Sequence, residues 1–420
     1  MANRDVTAEL ALDLSVSAAH ILSEVGQRRS AIVGRDPRAS GEFLQSAVAA
    51  GLASAGVDVW DVGVLPTPAV AYLTKTRSAD LGVMLSASHN AMPDNGIKFF
   101  NAEGNKLADE IEAQIEARMG EEWQRPVGDA VGRISSDSEG ADEYVAHLLT
   151  TVDSLSGLKV VVDGANGAAS QVAPLTYREA GAEVIAIHCA PDGYNINRDC
   201  GSTHLGDLQK AVVEHGADLG IGHDGDADRC LAVDASGALV DGDQLMAIIA
   251  LAMRDAGRLA HDTVVATVMA NLGFKQAMQR ESISVVETAV GDRYVLEAML
   301  ASGYVLGGEQ SGHVVMTEHA TTGDGLLTAL QVMNRMVATG ASLAELAGVM
   351  RRLPQVLVNV SGVDKNALET CGAVSDAVSA AQEQLSDSGR VLLRKSGTEP
   401  LVRVMVEAQD EATATGVAQS

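Results

Sequence analysis

Aromatic side chains are scarce in this 420-residue chain, with two Trp, six Tyr and four Phe. Its core must therefore be built from Ala, Val, Leu and Ile, and the 46% hydrophobic content with 42 Gly suits a soluble α/β enzyme. Basic residues are also few: 30 Lys and Arg stand against 56 Asp and Glu, a net charge of −26. That balance excludes a nucleic-acid partner, whose phosphate backbone demands a basic surface. It leaves room for a small anionic substrate, which needs only a local cluster of cations. Only four cysteines occur (Cys189, Cys200, Cys230, Cys371), none in a C-x-x-C pair, which predicts reduced thiols and a cytoplasmic protein. No long apolar run exists; Leu245 to Met253 is about half the ~20 residues of a membrane span. The start, Met1-Ala2-Asn3-Arg4-Asp5, is too polar for a signal peptide, so no membrane partner is expected.

What is present alternates. Thr7 is placed to cap a helix running to Leu22, a strand covers 31–34, a helix 41–55, a strand 57–62, a helix from Pro66 to Lys75 and a strand 81–85. Helix and strand in turn imply a mostly parallel sheet covered by helices. A helix ending at Gly before a strand recurs at Gly56, Gly181 and Gly303, at nearly equal spacing, which predicts three related α/β units. Boundaries are expected near 154–157, 256–261 and 353–354, dividing the chain into 1–154, 155–257, 258–353 and 354–420. The last piece reads as a small α+β unit: a strand at 356–360, a helix 367–385 and two strands flanking 395–400.

Four loops carry chemistry. After an apolar run at 217–222 comes His223-Asp224-Gly225-Asp226-Ala227-Asp228-Arg229. Three carboxylates at alternate positions repel one another unless a cation lies among them, and an all-oxygen set suits Mg²⁺. A calcium EF-hand loop would need Gly and Glu where Arg229 and Ala235 stand. A solvated acidic turn is the plainer alternative, and Arg229 argues for an anionic ligand. Ser86-Ala87-Ser88-His89-Asn90 leaves the carboxyl end of a strand, where open α/β sheets place ligands, and a serine there can carry a phosphoryl group. Lys98, between apolar neighbours in 95–100, is either an outward strand residue or a lysine of lowered pKa able to move a proton. In Gly308-Glu309-Gln310-Ser311-Gly312-His313, Glu309 and Ser311 can face one way toward a polyhydroxylated ligand, although a plain glycine turn stays open. Arg394-Lys395-Ser396-Gly397-Thr398-Glu399-Pro400, with Arg403, has the hydroxyls and arginine forks of a phosphate cradle. One phosphate site with a metal and a hydroxyl, plus one with arginines alone, fits phosphoryl transfer within a sugar phosphate.

In this order the four motifs resemble those of the α-D-phosphohexomutases, and the wording of the serine and Glu-Gln-Ser loops favours the glucosamine branch over the glucose and mannose branches. The resemblance implies three related α/β units with mostly parallel sheets and a small, mobile α+β C-terminal domain, arranged around one cleft. These would be a phosphoserine domain (1–154), a metal-binding domain (155–257), a sugar-recognition domain (258–353) and a phosphate-binding domain (354–420). It implies phosphorylation of Ser88 and one Mg²⁺ on Asp224, Asp226, Asp228 and the Ser88 phosphate. Lys98, His89 and Arg229 would flank the reacting group. Glu309, Ser311 and His313 would hold the sugar, and Arg394, Ser396, Gly397, Thr398 and Arg403 the second phosphate. The implied reaction interconverts glucosamine 6-phosphate and glucosamine 1-phosphate through a bisphosphate, with a sugar bisphosphate as activator, for amino-sugar nucleotides and cell-wall precursors. A monomer or homodimer is expected.

Two departures from the family pattern bear on activity. Ala91 stands where the family has Pro, and the chain begins beyond an arginine-bearing first strand and loop and ends within a closing helix. These ends predict a truncated form with a gap in its first sheet and one active-site cation fewer, a loss on the order of a thousandfold in rate. Rival readings are a glucose or mannose mutase, a non-catalytic sugar-phosphate binder, and a haloacid-dehalogenase-type enzyme with Asp224 as nucleophile.

Overall fold

The computed structural model describes residues 1–22, 29–364, 371–395 and 401–419. Helix α1 (Ala8–Leu22) begins as its sequence requires, with Thr7 Oγ1 accepting from the Leu10 amide at 3.2 Å. The first sheet comprises β1 (Arg29–Arg35), β2 (Val57–Val64), β3 (Leu81–Leu85), β4 (Ile97–Phe100) and β5 (Ile134–Ser136). Helices α2 (Ala39–Ser54), α3 (Thr67–Thr76), α4 (Asp109–Ala117) and α5 (Gly140–Leu149) accompany it. A second unit follows with β6 (Lys159–Asp163), α6 (Ala169–Glu179), β7 (Glu183–Ile187), α7 (Gly206–His215), β8 (Leu219–His223), β9 (Cys230–Asp234) and β10 (Leu239–Val240). Helix α8 (Gly242–Asp255) leads into β11 (Thr263–Thr267), α9 (Leu272–Arg280), β12 (Ser284–Thr288), α10 (Asp292–Ser302), β13 (Leu306–Gly308), β14 (Val314–Met316), α11 (Gly325–Thr339) and α12 (Leu343–Ala347).

The three sheets share one topology. Their orders are β4-β3-β1-β2-β5, β10-β9-β8-β6-β7 and β12-β11-β13-β14. In each, a central strand (β1, β6 or β11) lies between two parallel partners, and the third strand of the unit turns back as an antiparallel hairpin (β3-β4, β8-β9 or β13-β14). Helices on both faces explain why β3 and the first four residues of β8 read as unbroken apolar or glycine runs rather than alternating ones; every residue of each strand is buried.

The repeat is real, yet the glycine rhythm marks it imperfectly. Gly56 and Gly181 precede the second strand of their units, whereas Gly303 precedes the third strand of its own. The true counterpart of the first two is Ser282, whose φ of 59° takes the left-handed turn without glycine's freedom. Gly303 instead matches Ser78 and Gly216, all with positive φ and each three residues before the next strand.

The fourth unit is an antiparallel sheet, β15 (Gln355–Ser361), β16 (Arg390–Lys395) and β17 (Leu401–Glu407) in the order β15-β17-β16, with α13 (Gly372–Leu385) and α14 (Glu411–Gln419). Ala414 and Val417 of α14 bury against Leu385, Val406 and Ala408. In the first sheet β1 is paired along both edges.

One apolar core runs through the first three units, joining Ile32 and Tyr144 to Val160 and Ile221, and these to Val264, Ala266 and Leu326. The fourth has its own small core and is fastened to the third by polar contacts. Glu407, fully buried, accepts from Arg390 Nε at 2.6 Å and the Leu272 amide at 2.9 Å. Arg390 also donates to the Val268 and Ala270 carbonyls. Among the described residues no helix is long and apolar enough to cross a membrane.

Candidate active site

All three hairpins turn at the same end of their sheets, and each turn is one of the loops singled out above. Ser88 lies between β3 and β4, the aspartates between β8 and β9, and Glu309 to His313 between β13 and β14. Gly225 lets the first two loops touch: a Cβ there would stand 2.6 Å from the Ser88 carbonyl oxygen and 2.8 Å from Asn197 Nδ2.

The Ser88 hydroxyl donates to Asp224 Oδ2 at 2.6 Å, so residues 136 positions apart share one hydrogen bond. Ser88 itself has φ of 50°, a left-handed conformation that L side chains rarely adopt. Its amide donates to Ser86 Oγ at 2.9 Å, and Ser86 Oγ donates to buried Asp36 at 2.7 Å. The imidazole Nδ1 of His89 is 3.4 Å from Ser88 Oγ. Lys98, on β4, reaches Asp226 Oδ2 at 2.6 Å and Asp228 Oδ2 at 3.7 Å.

Asp224, Asp226 and Asp228 are buried, and an oxygen from each lies within 4.8 Å of the others. Burial, then the charges of Asp228 and Asp226, pushes Asp224 well above the usual carboxylate range. Burial acts the same way on Asp226, but the Lys98 ammonium overrides it and holds this carboxyl below that range. Asp226 Oδ1 and Asp228 Oδ1 are buried without a hydrogen-bond partner. Buried acceptors left in that state are costly, and three clustered carboxylates with two free oxygens fit a hard divalent cation.

Arg229 closes the loop, its amide donating to Asp224 Oδ1 at 3.2 Å and its Nε lying 3.8 Å from Asp228 Oδ1. Behind it His223 is pinned between Tyr177 Oη at 2.9 Å and the Arg229 carbonyl at 3.1 Å. His313 is 3% exposed with both ring nitrogens lacking a hydrogen-bond partner, 3.9 Å from Asp228 Oδ2 and 3.6 Å from Asp292 Oδ2. A cavity of about 420 Å³ between the first and third units reaches His313, Lys106 and Asp292 but not Ser88.

Lys98 differs from its sequence reading. Burial does pull its pKa down, but Asp226 and Asp228 outweigh burial and the net shift is upward. The Glu309 loop is also less strand-like than alternation suggested: Gly312 N donates to the Glu309 carbonyl in a tight turn, with Gly312 at φ of 90°. Glu309 Oε1 accepts from the Gly291 amide at 3.2 Å, while Ser311 Oγ is buried and unpartnered. Arg394 and Arg403 are paired across β16 and β17, on a different sheet from the acidic loop. Ser396, Gly397 and Thr398 lie outside the described residues.

Sequence reasoning missed Thr67, Arg38 and Asn197. Thr67, at the start of α3, donates to Asp226 Oδ2 at 2.5 Å and its amide to the Asp226 carbonyl at 2.9 Å. Its signal was only that it follows the carboxyl end of β2. Arg38 follows β1 in the same way; Asn197 sits in a long irregular loop and carried no signal.

Three repeated α/β units, a fourth antiparallel unit, and a hydroxyl bonded to an acidic triad define a phosphohexomutase architecture, and the chain belongs to the phosphoglucomutase/phosphomannomutase family. Family models match residues 1–125 (alpha/beta/alpha domain I), 142–237 (domain II), 241–353 (domain III) and 333–420 (C-terminal domain). Within that family it is 65% identical over 428 residues to a phosphoglucosamine mutase of Streptomyces griseus subsp. griseus, covering 100% of this chain and 95% of the relative. It is also 65% identical over 424 residues to a phosphoglucosamine mutase of Acidothermus cellulolyticus, covering 100% and 92%. A crystal structure of a phosphoglucomutase/phosphomannomutase family protein from Burkholderia thailandensis superposes with a TM-score of 0.82 at 23% identity, over 99% of this chain and 93% of the other, a likeness of fold.

Proposed function

We propose that the chain is a phosphoglucosamine mutase, interconverting glucosamine 6-phosphate and glucosamine 1-phosphate with Ser88 as the phosphoryl carrier. The observation that carries this reading is the 2.6 Å contact between Ser88 Oγ and Asp224, which joins the hydroxyl to the acidic triad. The resemblance of the whole chain to phosphoglucosamine mutases supports the choice of sugar.

Phospho-Ser88 donates to the free hydroxyl of the bound sugar phosphate. The Ser88 O–P bond breaks as the bond from the sugar oxygen to phosphorus forms, and the hydroxyl proton passes to the protein. His89 is the group beside Ser88 for that proton, and the Lys98 ammonium offsets negative charge at the triad. Arg229 offsets charge on the transferring group. The bisphosphate then turns over and its other phosphate returns to Ser88, leaving the isomeric monophosphate. Glu309, Ser311 and His313 hold the sugar. Arg394, Ser396, Gly397, Thr398 and Arg403 hold the phosphate that is not reacting, whichever carbon bears it. Asp224, Asp226 and Asp228, with a phosphate oxygen on Ser88, would hold a Mg²⁺, which would further neutralise the transferring charge.

The test is a mutase assay on the 6-phosphates of glucosamine, glucose and mannose with a catalytic amount of glucose 1,6-bisphosphate. Glucosamine 6-phosphate is expected to have the highest kcat/KM, and Ser88→Ala to lose at least about a thousandfold. Equal or better turnover of glucose or mannose 6-phosphate would reassign the substrate, and an active Ser88→Ala would end the phosphoserine reading.

A further inference from the structure

Two residues outside the four motifs converge on the backbone of the phosphoserine loop. Arg38, 1% exposed, aims one guanidinium nitrogen at the Asn90 carbonyl (2.7 Å) and the Ser88 carbonyl (3.5 Å). Asn197, 9% exposed, donates its side-chain amide to the same two carbonyls, at 2.8 Å to Ser88 and 2.9 Å to Asn90. Arg38 belongs to the unit that carries Ser88. Asn197 belongs to the unit that carries the aspartates.

We infer that Arg38 and Asn197 are positioning residues for phosphoryl transfer, clamping the Ser88 loop from both units so that Ser88 Oγ stays aimed at the triad. This inference rests on the reading of Ser88 as phosphoryl carrier. A serine at φ of 50° relaxes toward extended backbone unless its carbonyl is held. The clamp holds that carbonyl together with the one two residues on, so the turn between them is fixed at both ends.

Each arm of the clamp is itself braced. Arg38 pairs with Asp36, which also accepts from the Arg38 amide at 3.0 Å and from Ser86 Oγ. The loop carrying Asn197 is tied to the end of β6. The Asn197 amide donates to the Ala165 carbonyl at 2.9 Å, and Asp163 accepts from the Ala165 amide at 2.8 Å and the Gly201 amide at 3.0 Å, with His188 Nδ1 at 2.9 Å. Because β6 also pairs with β8, which leads into the aspartate loop, Asn197 registers the nucleophile against the metal loop directly. Neither residue is placed against the sugar, so their loss should act on kcat and leave KM.

The experiment compares the parent with Asn197→Asp, Asn197→Ala, Arg38→Lys and Asn195→Ala. Asn197→Asp keeps shape but has no N–H to give; Arg38→Lys keeps a cation beside Asp36 without the fork. Asn195 is a neighbour whose side-chain amide bonds within its own loop, to the Ala190 carbonyl at 3.0 Å. Readouts are kcat and KM for glucosamine 6-phosphate, the rate of Ser88 phosphorylation by glucose 1,6-bisphosphate from intact mass, and Tm. Expected for both Asn197 variants and for Arg38→Lys is a fall in kcat and in phosphorylation rate of about 10- to 100-fold, with KM within about twofold. Asn195→Ala should keep the parent kcat. An undiminished kcat in Asn197→Asp, or equal losses in the Asn195 and Asn197 variants tracking a common fall in Tm, would overturn the inference while an active parent leaves the mutase reading standing. A folded parent that turns over no hexose phosphate would overturn both.

Discussion

Asp226 shows how one carboxylate is prepared for several partners. Its Oδ2 accepts from Thr67 and faces Lys98, which leaves Oδ1 buried and without a hydrogen-bond partner. The two donors fix the rotation of the carboxylate, so the free oxygen points to one place. Groups that orient a metal ligand typically matter 10- to 100-fold in affinity. Thr67→Val, which keeps the shape and removes the hydroxyl, is predicted to raise the Mg²⁺ concentration for half-maximal activity by about tenfold, measured by titrating the chelator-stripped protein. At saturating Mg²⁺ its kcat should approach the parent value. Lys98 gives the complementary lesson. Apolar neighbours in sequence suggested a lowered pKa, but carboxylates from another unit decide its charge, and a linear reading has no means of seeing them.

At the scale of elements, the proposed site residues of the three α/β units share one recurring place, the hairpin after the third strand. The sequence made the strands legible through apolar runs and glycine turns, and the loops through clustered polar residues that a core would not accept. Thr7 as a cap and β3 at 81–85 were readable for the same reason, since each depends on neighbours within one turn or strand. Less readable was which glycine matched which. A positive φ can be borne by serine, as at Ser78 and Ser282, so the glycine rhythm skipped a step in the third unit. Asn197 and Thr67 stayed hidden because their roles exist only once two units meet. Gly225 stands where those units meet, and Gly225→Ala is predicted to fold and yet lose about 100-fold in kcat, because its Cβ displaces the Ser88 carbonyl. Steady-state kinetics beside a thermal melt checks this; parent-like kcat would show that the loops can part without cost.

For the molecule as a whole, the first three units share one core and polar contacts fasten the fourth to the third. Glu407→Ala would leave Arg390 buried opposite no carboxylate, a loss of about 3–5 kcal/mol of stability read by denaturant unfolding. Near the same seam Asp243 accepts from the Asn271 amide at 2.7 Å, and its other oxygen is buried and unpartnered. Burial, then the charge of Asp241, raises its pKa to about 8 from 3.8. The folded state therefore holds a proton that the unfolded chain releases between those values, and Asp243 costs stability as pH rises through that window. Asp243→Asn should raise Tm by on the order of a few degrees at pH 8 and leave it nearly unchanged near pH 4. A variant that melts with the parent's pH dependence would locate the proton elsewhere.

The central claim is that Ser88, and not an aspartate of the triad, carries the phosphoryl group. Incubation with phosphoryl-labelled glucose 1,6-bisphosphate, followed by acid quench, digestion and peptide mass mapping, tests it most directly. The account predicts one acid-stable phosphoryl group on the peptide containing Ser88, absent from Ser88→Ala and discharged by glucosamine 6-phosphate. An acid-labile label on the peptide containing Asp224, or a label retained in Ser88→Ala, would contradict it.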